Sequence, residues 1–341
     1  MTIQERIDGF AQVGAFIQRH FANTPAENEK HLHEGLNALI HAAYVHNNWF
    51  IEPYTNLAIQ NIGGWLNADT LADFVGHTDV KNSKTVAVIC AGNIPLVGFH
   101  DVLCVLLSGH RILIKLSADD QVLMPFFIKL LVHYVPSFES QILFASGKLS
   151  GFDAVIATGS NSTANHFHYY FGKYPNIIRR SRTSVALLTG NETDEELGLL
   201  ADDIFLYFGL GCRNVGKLLV PEQYSFDRFF PAMLKYSHVI NHNKYGNNYE
   251  YQRALYLLEK IPFLDNNFMM VTESAKLHAP AGLVYYETYP SLDAAEAWIK
   301  DHERDIQCVI GANHTPFGYS QKPVISEFAD HVNTLDFLLS L

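Results

Sequence analysis

Cysteine is scarce in this chain of 341 residues. There are four, at positions 90, 104, 212 and 308, and no two form a CxxC pair. That spacing argues against a disulfide framework and reads as free thiols in a reducing, cytoplasmic setting. Charge is sparse too: 17% of residues are Asp, Glu, Lys or Arg, against roughly 25% in an average soluble protein. A basic excess is missing. Lys and Arg total 24, Asp and Glu 35, for a net charge of −11, which argues against a nucleic-acid-binding face but leaves room for a locally positive pocket. No hydrophobic run is long enough to span a bilayer. The most apolar stretch, Val86 to His110, is interrupted by Gly92, Asn93, Pro95, Gly98, His100 and Asp101. The opening MTIQERIDGF lacks a basic region followed by an apolar one, so no signal peptide is expected. Internal repeats, low-complexity segments, HExxH and GxGxxG are absent as well. Histidine is plentiful, at 17, but His31/His33 and His166/His168 are spaced two apart, on divergent faces if helical, so a metal site is not expected.

What the chain does have is apolar residues, 48% of the total, enough to bury a large core in about two domains at roughly 150 residues each. Residues 1–80 read as helices. Ala11, Phe16 and Ile17 recur at helical spacing, as do Leu36, Leu39, Ile40, Ala43 and Tyr44. Beyond residue 84 the period changes. Thr85–Cys90, Arg111–Lys115, Gln141–Phe144 and Ala154–Ala157 are short apolar runs typical of strands buried on both faces. Helices are expected over about 98–108, over Gln121–Tyr134 and from near Asn161. This alternation predicts a doubly wound α/β domain with a parallel sheet.

A second α/β unit follows. Thr193-Asp-Glu-Glu196 is a capping box. Leu197, Leu200, Ala201, Ile204, Phe205 and Phe208 then repeat with helical period until Gly209 and Gly211 end the helix. Strands are expected at Leu218–Val220, Leu283–Tyr286 and Gln307–Ile310, and a helix at Ser291–Lys300. Asn241–Tyr249 reads as a polar loop. The tail from Thr315 carries two prolines and an apolar end, Leu335–Leu341.

Several residues have types and positions suited to chemistry. Cys212 sits in Phe208-Gly-Leu-Gly-Cys-Arg-Asn214, where two glycines permit a tight turn and close substrate approach, and Arg213 is a nearby cation that favours a thiolate. The competing reading is a buried structural cysteine, and for Cys90, Cys104 and Cys308, in apolar runs, that reading prevails. Thr158-Gly-Ser160 follows a strand and opens a helix, a place where free amides bind phosphate; such turns also occur for geometry alone. Lys115 and Ser117 end a strand at the edge that faces the ligand crevice of an open sheet, suited to a ribose or its phosphate, or else an ordinary charged strand end. Asn93, after the first strand, is either an oxyanion donor or a turn residue.

Taken in order, Ala91-Gly-Asn-Ile-Pro95, Ser108-Gly-His-Arg-Ile-Leu-Ile-Lys-Leu-Ser117, Ala157-Thr-Gly-Ser160 and Gly209-Leu-Gly-Cys212 resemble the aldehyde dehydrogenase superfamily. Within it the chain is most similar to the fatty acyl-CoA reductases of bacterial luminescence systems, over about residues 80–315. The resemblance implies an aldehyde-dehydrogenase-like fold: a helical segment (1–80) packed on a Rossmann-type cofactor domain (81–182), a smaller α/β catalytic domain (183–315), and a tail (316–341) returning to the core or to an oligomer interface. It implies Cys212 as nucleophile, Asn93 as oxyanion-hole amide, Lys115 and Ser117 as adenosine-ribose contacts, and Thr158, Gly159 and Ser160 as the pyrophosphate turn. The expected activity is reduction of an acyl-CoA thioester to an aldehyde by NADPH, with NADH open.

Two departures shape that expectation. The stretch where hydrolytic members carry a Glu general base reads Ile178-Arg-Arg-Ser-Arg-Thr-Ser184, without a carboxylate. The region of the Glu that holds the nicotinamide ribose reads Leu277-His-Ala-Pro280, also without one. An oxidiser must activate water against its thioacyl intermediate, whereas a reductase must keep water away. No Glu follows Lys115 to bind a ribose diol, and Lys115 suits a 2′-phosphate. The rivals are a cysteine acyltransferase or thioesterase without a nicotinamide, and a non-catalytic scaffold on the same fold. The superfamily's habit of exchanging a strand between subunits makes a homo-oligomer an open expectation. Trp49 and Trp65 stand either over an acyl site or in the core.

Overall fold

The computed structural model describes residues 1–76, 80 and 82–341. They form two compact units, one of residues 1–180 with 324–341 and one of residues 181–323. The expected boundary at residues 80 and 81 lies partly outside the described residues.

The first unit opens with four helices: α1 (Ile3–Phe21), α2 (Lys30–His46), α3 (Glu52–Trp65) and α4 (Ala68–Val75). Their starts are locally encoded. Thr2 and Glu5 close a capping box on α1, Pro53 stands in the first turn of α3, and Asn67 caps α4. Phe10, Phe16, Leu36, Ile40 and Ile59 are buried from these helices, and Trp49 and Trp65 pack, half-buried, against the same core. Tyr44, read as part of the apolar stripe, is exposed.

The sheet follows as β1 (Thr85–Ile89), α5 (Phe99–Ser108), β2 (Arg111–Lys115), α6 (Leu123–Tyr134), β3 (Ile142–Phe144), β4 (Ala154–Thr158), α7 (Asn161–Phe171) and β5 (Asn176–Arg179). All pairings are parallel and the order is β3-β2-β1-β4-β5. This is the doubly wound arrangement that the sequence predicts. The chain builds outward from β1 to β3, then restarts at β4 on the other side of β1. The switch point between β1 and β4 is where an open α/β sheet leaves a ligand crevice beyond its carboxyl ends.

Residues 324–341 belong to this same unit. Their short helix, Thr334–Leu339, buries Leu335 and Leu338 in the core. Three side chains, those of His110 and Arg179 buried and that of His100 half-buried, tie the segment down. His100 Nε2 lies 2.7 Å from the Ile325 carbonyl, His110 Nε2 lies 2.9 Å from that of Leu338, and Arg179 Nη2 donates to Thr334 Oγ1 at 3.0 Å.

The second unit contains β6 (Thr183–Leu187), α8 (Asp194–Phe205), β7 (Val215–Pro221), α9 (Phe229–Met233), α10 (Asn243–Glu259), β8 (Leu264–Asp265), β9 (Met270–Glu273), β10 (Leu283–Tyr289), α11 (Leu292–Asp301) and β11 (Ile306–Ile310). Its sheet runs β11-β6-β7-β10-β9-β8, parallel except for the β8–β9 pair. Asn241–Tyr249, read as a polar loop, is instead the start of α10. His242 caps that helix, and Tyr245 and Tyr249, one turn apart, are both buried. The Tyr245 hydroxyl donates to the Phe268 carbonyl (3.0 Å) and that of Tyr249 to Asp265 (2.7 Å). Two tyrosines with buried rings and bonded hydroxyls anchor a helix whose first two turns are otherwise polar. The helix before Cys212 also ends earlier than its glycines suggest: α8 stops at Phe205 and a single 3₁₀ turn, Leu206–Gly209, follows. Among the described residues no helix is long and apolar enough to cross a membrane.

Candidate active site

In the first unit, six of the seven candidate residues lie at one edge of the sheet. Ile89, Lys115 and Ala157 are in register across β1, β2 and β4, and Thr158 pairs with Arg179 on β5. Asn93 therefore leaves β1, Lys115 ends β2, and Thr158 ends β4 at the same carboxyl edge, on both sides of the switch point. Gly159 and Ser160 continue from Thr158 into α7. Ser160 is the N-cap: its Oγ accepts from the Thr163 amide at 3.2 Å and lies 2.9 Å from Thr163 Oγ1. A Cβ at Gly159 would stand 2.9 Å from Thr163 Cγ2 and 3.1 Å from Phe167, so glycine is what lets this turn close onto the helix. Lys115 is half-buried, and its Nζ donates to the Gly147 carbonyl at 3.3 Å.

Asn93 is exposed on the loop 91–97. That loop is pressed against the turn after β2. A Cβ on Gly92 would meet Ser117 Oγ at 2.6 Å, and Asp120 accepts from the Leu96 amide at 2.8 Å. Ser117 Oγ itself accepts from the Asp119 amide at 3.2 Å. From below, α2 grips the same turn: His46 Nε2 lies 2.6 Å from the Ala118 carbonyl, and Asn47 donates to that of Asp119 at 3.3 Å. The Asn93 loop and the Lys115–Ser117 turn are thus one packed assembly.

In the second unit, Cys212 is half-buried on the loop that enters β7. Asn214 organises this loop. Its Nδ2 donates to the carbonyls of Asp203 (3.1 Å), Ile204 (3.3 Å) and Leu206 (2.8 Å), and its Oδ1 accepts from the Gly211 amide (2.8 Å). One side chain thereby caps the end of α8 and fixes the residue before Cys212. Between them, the buried Tyr207 and Phe208 stand at φ 54° and 57°, a conformation that bulky residues adopt only when their surroundings enforce it. Ser184 on β6 donates to the Cys212 carbonyl at 3.1 Å. Arg213, read as a cation beside the thiol, donates from Nε to the Ser320 carbonyl. The 318–320 segment is in turn held by Asp203, which is fully buried and accepts from the amides of Gly318 (2.7 Å) and Ser320 (2.9 Å). Burial raises the Asp203 pKa above the usual carboxylate value.

The remaining cysteines divide. Cys90 and Cys104 are buried, and burial pushes the Cys90 thiol up to about 12 and the Cys104 thiol well above its ordinary value. Neither is a nucleophile at neutral pH. Cys308 is half-buried, with Sγ 2.9 Å from Ser184 Oγ. Asn214, Ser184 and Asp120 are the supporting residues that sequence reasoning missed. Each lies within three residues of a noted motif or on a noted strand, but what each bonds to is set by tertiary structure.

The arrangement has the fold of an aldehyde dehydrogenase. The protein is similar to an NAD-dependent benzaldehyde dehydrogenase from Corynebacterium glutamicum (12% identity, 87% of this chain and 74% of that one, TM-score 0.63). It is also similar to aldehyde dehydrogenase 21 from Physcomitrella patens in complex with succinate (13%, 91% and 74%, TM-score 0.62). A third similar structure is a mutant indole-3-acetaldehyde dehydrogenase of P. syringae in complex with NAD+ and IAA (13%, 91% and 72%, TM-score 0.59). No curated protein matches by sequence. Residues 77–221 match the family described as acyl-CoA reductase (LuxC). That segment includes Asn93, Lys115, Ser117, Thr158, Gly159, Ser160 and Cys212. Over that segment the chain is thus similar to acyl-CoA reductases, and its fold is that of the aldehyde dehydrogenases.

Proposed function

We propose that the protein reduces an acyl-CoA thioester to an aldehyde with NADPH, through a thioester formed on Cys212. The observation that carries this reading is the setting of Cys212. Its thiol is half-buried, on a loop braced by Asn214 and Ser184, within the segment similar to acyl-CoA reductases. The missing base agrees with it. Across 178–184 the chain offers arginines and hydroxyls, and Arg179 is committed to a buried ion pair with Asp101 at 2.5 Å.

The carboxyl edge of the first sheet suits a dinucleotide. Gly159 permits close approach, the start of α7 presents amides, and Lys115 brings a cation without a neighbouring Glu at Ala118. Lys115 favours a 2′-phosphate, hence NADPH. Two similar folds are described as NAD-dependent or with NAD+, which supports a nicotinamide cofactor. When bound, that cofactor supplies the hydride.

The chain's own residues do the rest. The Cys212 thiolate attacks the acyl carbon, and CoA leaves as a thiolate of similar basicity, so the exchange is nearly neutral in energy. The Cys212 N–H donates to the developing oxyanion, and the family resemblance gives the Asn93 amide the same part; loss of one such donor typically costs about 10²–10³ in rate. After reduction the C–S bond to Cys212 breaks, the thiolate is restored and the aldehyde departs. Acyl-CoA, NADPH and a proton thereby become aldehyde, CoA and NADP+.

A single-turnover assay tests this with acyl-CoAs of graded length, following NADPH absorbance and CoA release together. The expected result is one CoA released for each NADPH oxidised, with both changes abolished in Cys212→Ala. CoA release without NADPH consumption would establish an acyltransferase or thioesterase instead. Silence in both channels, with NADH tried as well, would leave only a scaffold or a non-CoA substrate.

A further inference from the structure

Asp120 is buried, with 6% of its surface exposed, at the end of the turn that follows Lys115 and Ser117. One carboxylate oxygen, Oδ2, accepts from the Leu96 amide at 2.8 Å; the other, Oδ1, is also buried and meets no hydrogen-bond partner among the described residues. A charged group is expensive to bury with half its acceptors unmet. Leu96 closes the loop that carries Asn93. It is itself buried and stands at φ 57°, a costly conformation for a leucine, so the loop relies on whatever holds that amide. At its other end the loop rests on the same turn through Gly92 and Ser117.

We propose that Asp120 is a positioning residue, whose negative charge holds the Leu96 amide and so fixes the Asn93 side chain for the reduction step. This rests on the reading of Asn93 as oxyanion donor. The carboxylate acts on the rate of the reaction and not on nucleotide affinity, because its one bond goes to the Asn93 loop and not to the Lys115 side.

The groups around Asp120 set the pH at which its charge is lost. Burial is the largest influence and raises its pKa to about 6, against the Leu96 hydrogen bond and the His46 ring at the end of α2, which both lower it. Cys90, after β1, feels Asp120 and also Asp101 of α5, and stays protonated. Asp119, beside it in the chain, is exposed. Above about 6 the carboxylate grips the amide. Below it, protonation weakens the acceptor and the loop loosens.

The test uses the full-length protein, wild type, Asp120→Asn and Asp120→Ala. Asn keeps the shape and a neutral acceptor but cannot carry charge. Its kcat is expected to fall roughly fivefold, the difference between a charge-assisted and a neutral hydrogen bond, with NADPH affinity unchanged. The acidic limb of the kcat profile near pH 6 should vanish in this variant. Hydrogen exchange of the 91–98 peptide reports the loop directly. Exchange corrected for intrinsic rate should rise in the wild type as pH drops from 7 to 5.5, and rise at pH 7 in Asp120→Ala. A limb retained in Asp120→Asn would overturn the proposal, as would wild-type exchange indifferent to pH. If the wild type reduces no acyl-CoA at all, the reductase reading fails separately, and the exchange measurements alone decide whether Asp120 holds the loop.

Discussion

Single residues in this protein do more bracing than chemistry. Asn214 is the clearest case, since its amide answers three carbonyls at the end of α8 and one amide in front of Cys212. Removing it leaves buried acceptors unmet, each worth about 1–3 kcal/mol. Asn214→Ala should therefore lower the stability of the protein by about 3 kcal/mol on that scale and remove acyl transfer to Cys212. The chemistry of the bonds makes a sharper test available. Asn214→Asp preserves volume and the acceptor for Gly211, but sets a carboxylate oxygen against three carbonyls. It should be no more stable than the alanine variant, as measured by urea midpoints. An aspartate variant close to wild type would show that shape, and not donation, is what the loop needs.

At the scale of elements, the turn between β4 and α7 is where geometry and proposed cofactor binding coincide. Gly159 leaves no room for a side chain beside Thr163 and Phe167. Gly159→Ala should cost about 1–3 kcal/mol through overpacking and weaken NADPH binding, read by fluorescence titration, with Cys212 alkylation by iodoacetamide unchanged. Elements like these were largely legible in the sequence. The four strands read from apolar runs are present; the buried centres of β1, β2 and β4 explain why alternation was absent there, whereas Leu143 and Phe144 of β3 are exposed. The capping box at Thr193 is formed as expected. The start of α10 was not legible, because its hold on the core comes from two tyrosines whose hydroxyls find Phe268 and Asp265 at a distance in the chain. The unusual φ values of Tyr207 and Phe208 were hidden for the same reason: no local signal marks them, and Asn214 supplies the restraint from downstream. The candidate site was legible as motifs. Its supports, Asp120, Ser184 and Asn214, were not, since a hydrogen bond across the fold leaves no period in a sequence.

For the whole molecule, the same first-unit core that buries aromatic rings also holds buried and half-buried histidines whose pKa it lowers. His20 and His33 face each other with Nδ1 atoms 3.0 Å apart, and the His33 ring stacks on Phe16 at 4.2 Å. Two imidazoles share that contact only if one donates and the other accepts, so both cannot be protonated. Burial is the first cause lowering the pKa of each, and it does the same for His100 and His110, which hold the returning segment at Ile325 and Leu338. In the unfolded chain these histidines titrate near 6.5. Below that pH the unfolded state binds more protons than the folded one, so stability is present above about 6.5 and lost as pH falls. Asp120 acts oppositely: its raised pKa contributes stability at low pH that is lost as pH rises through about 6. Burial raises the Asp203 carboxyl in the same direction. Four histidines outweigh two carboxyls in the window between 7.5 and 5.5, so the urea midpoint of the protein should drop across it with the slope unchanged. The loss should also expose the 324–341 segment first, because two of the four rings are its anchors. Limited proteolysis at pH 5.5 would then cut within that segment before the sheet. A midpoint that rises on acidification would mean that the buried carboxyls, and not the histidines, govern the acid behaviour of this fold.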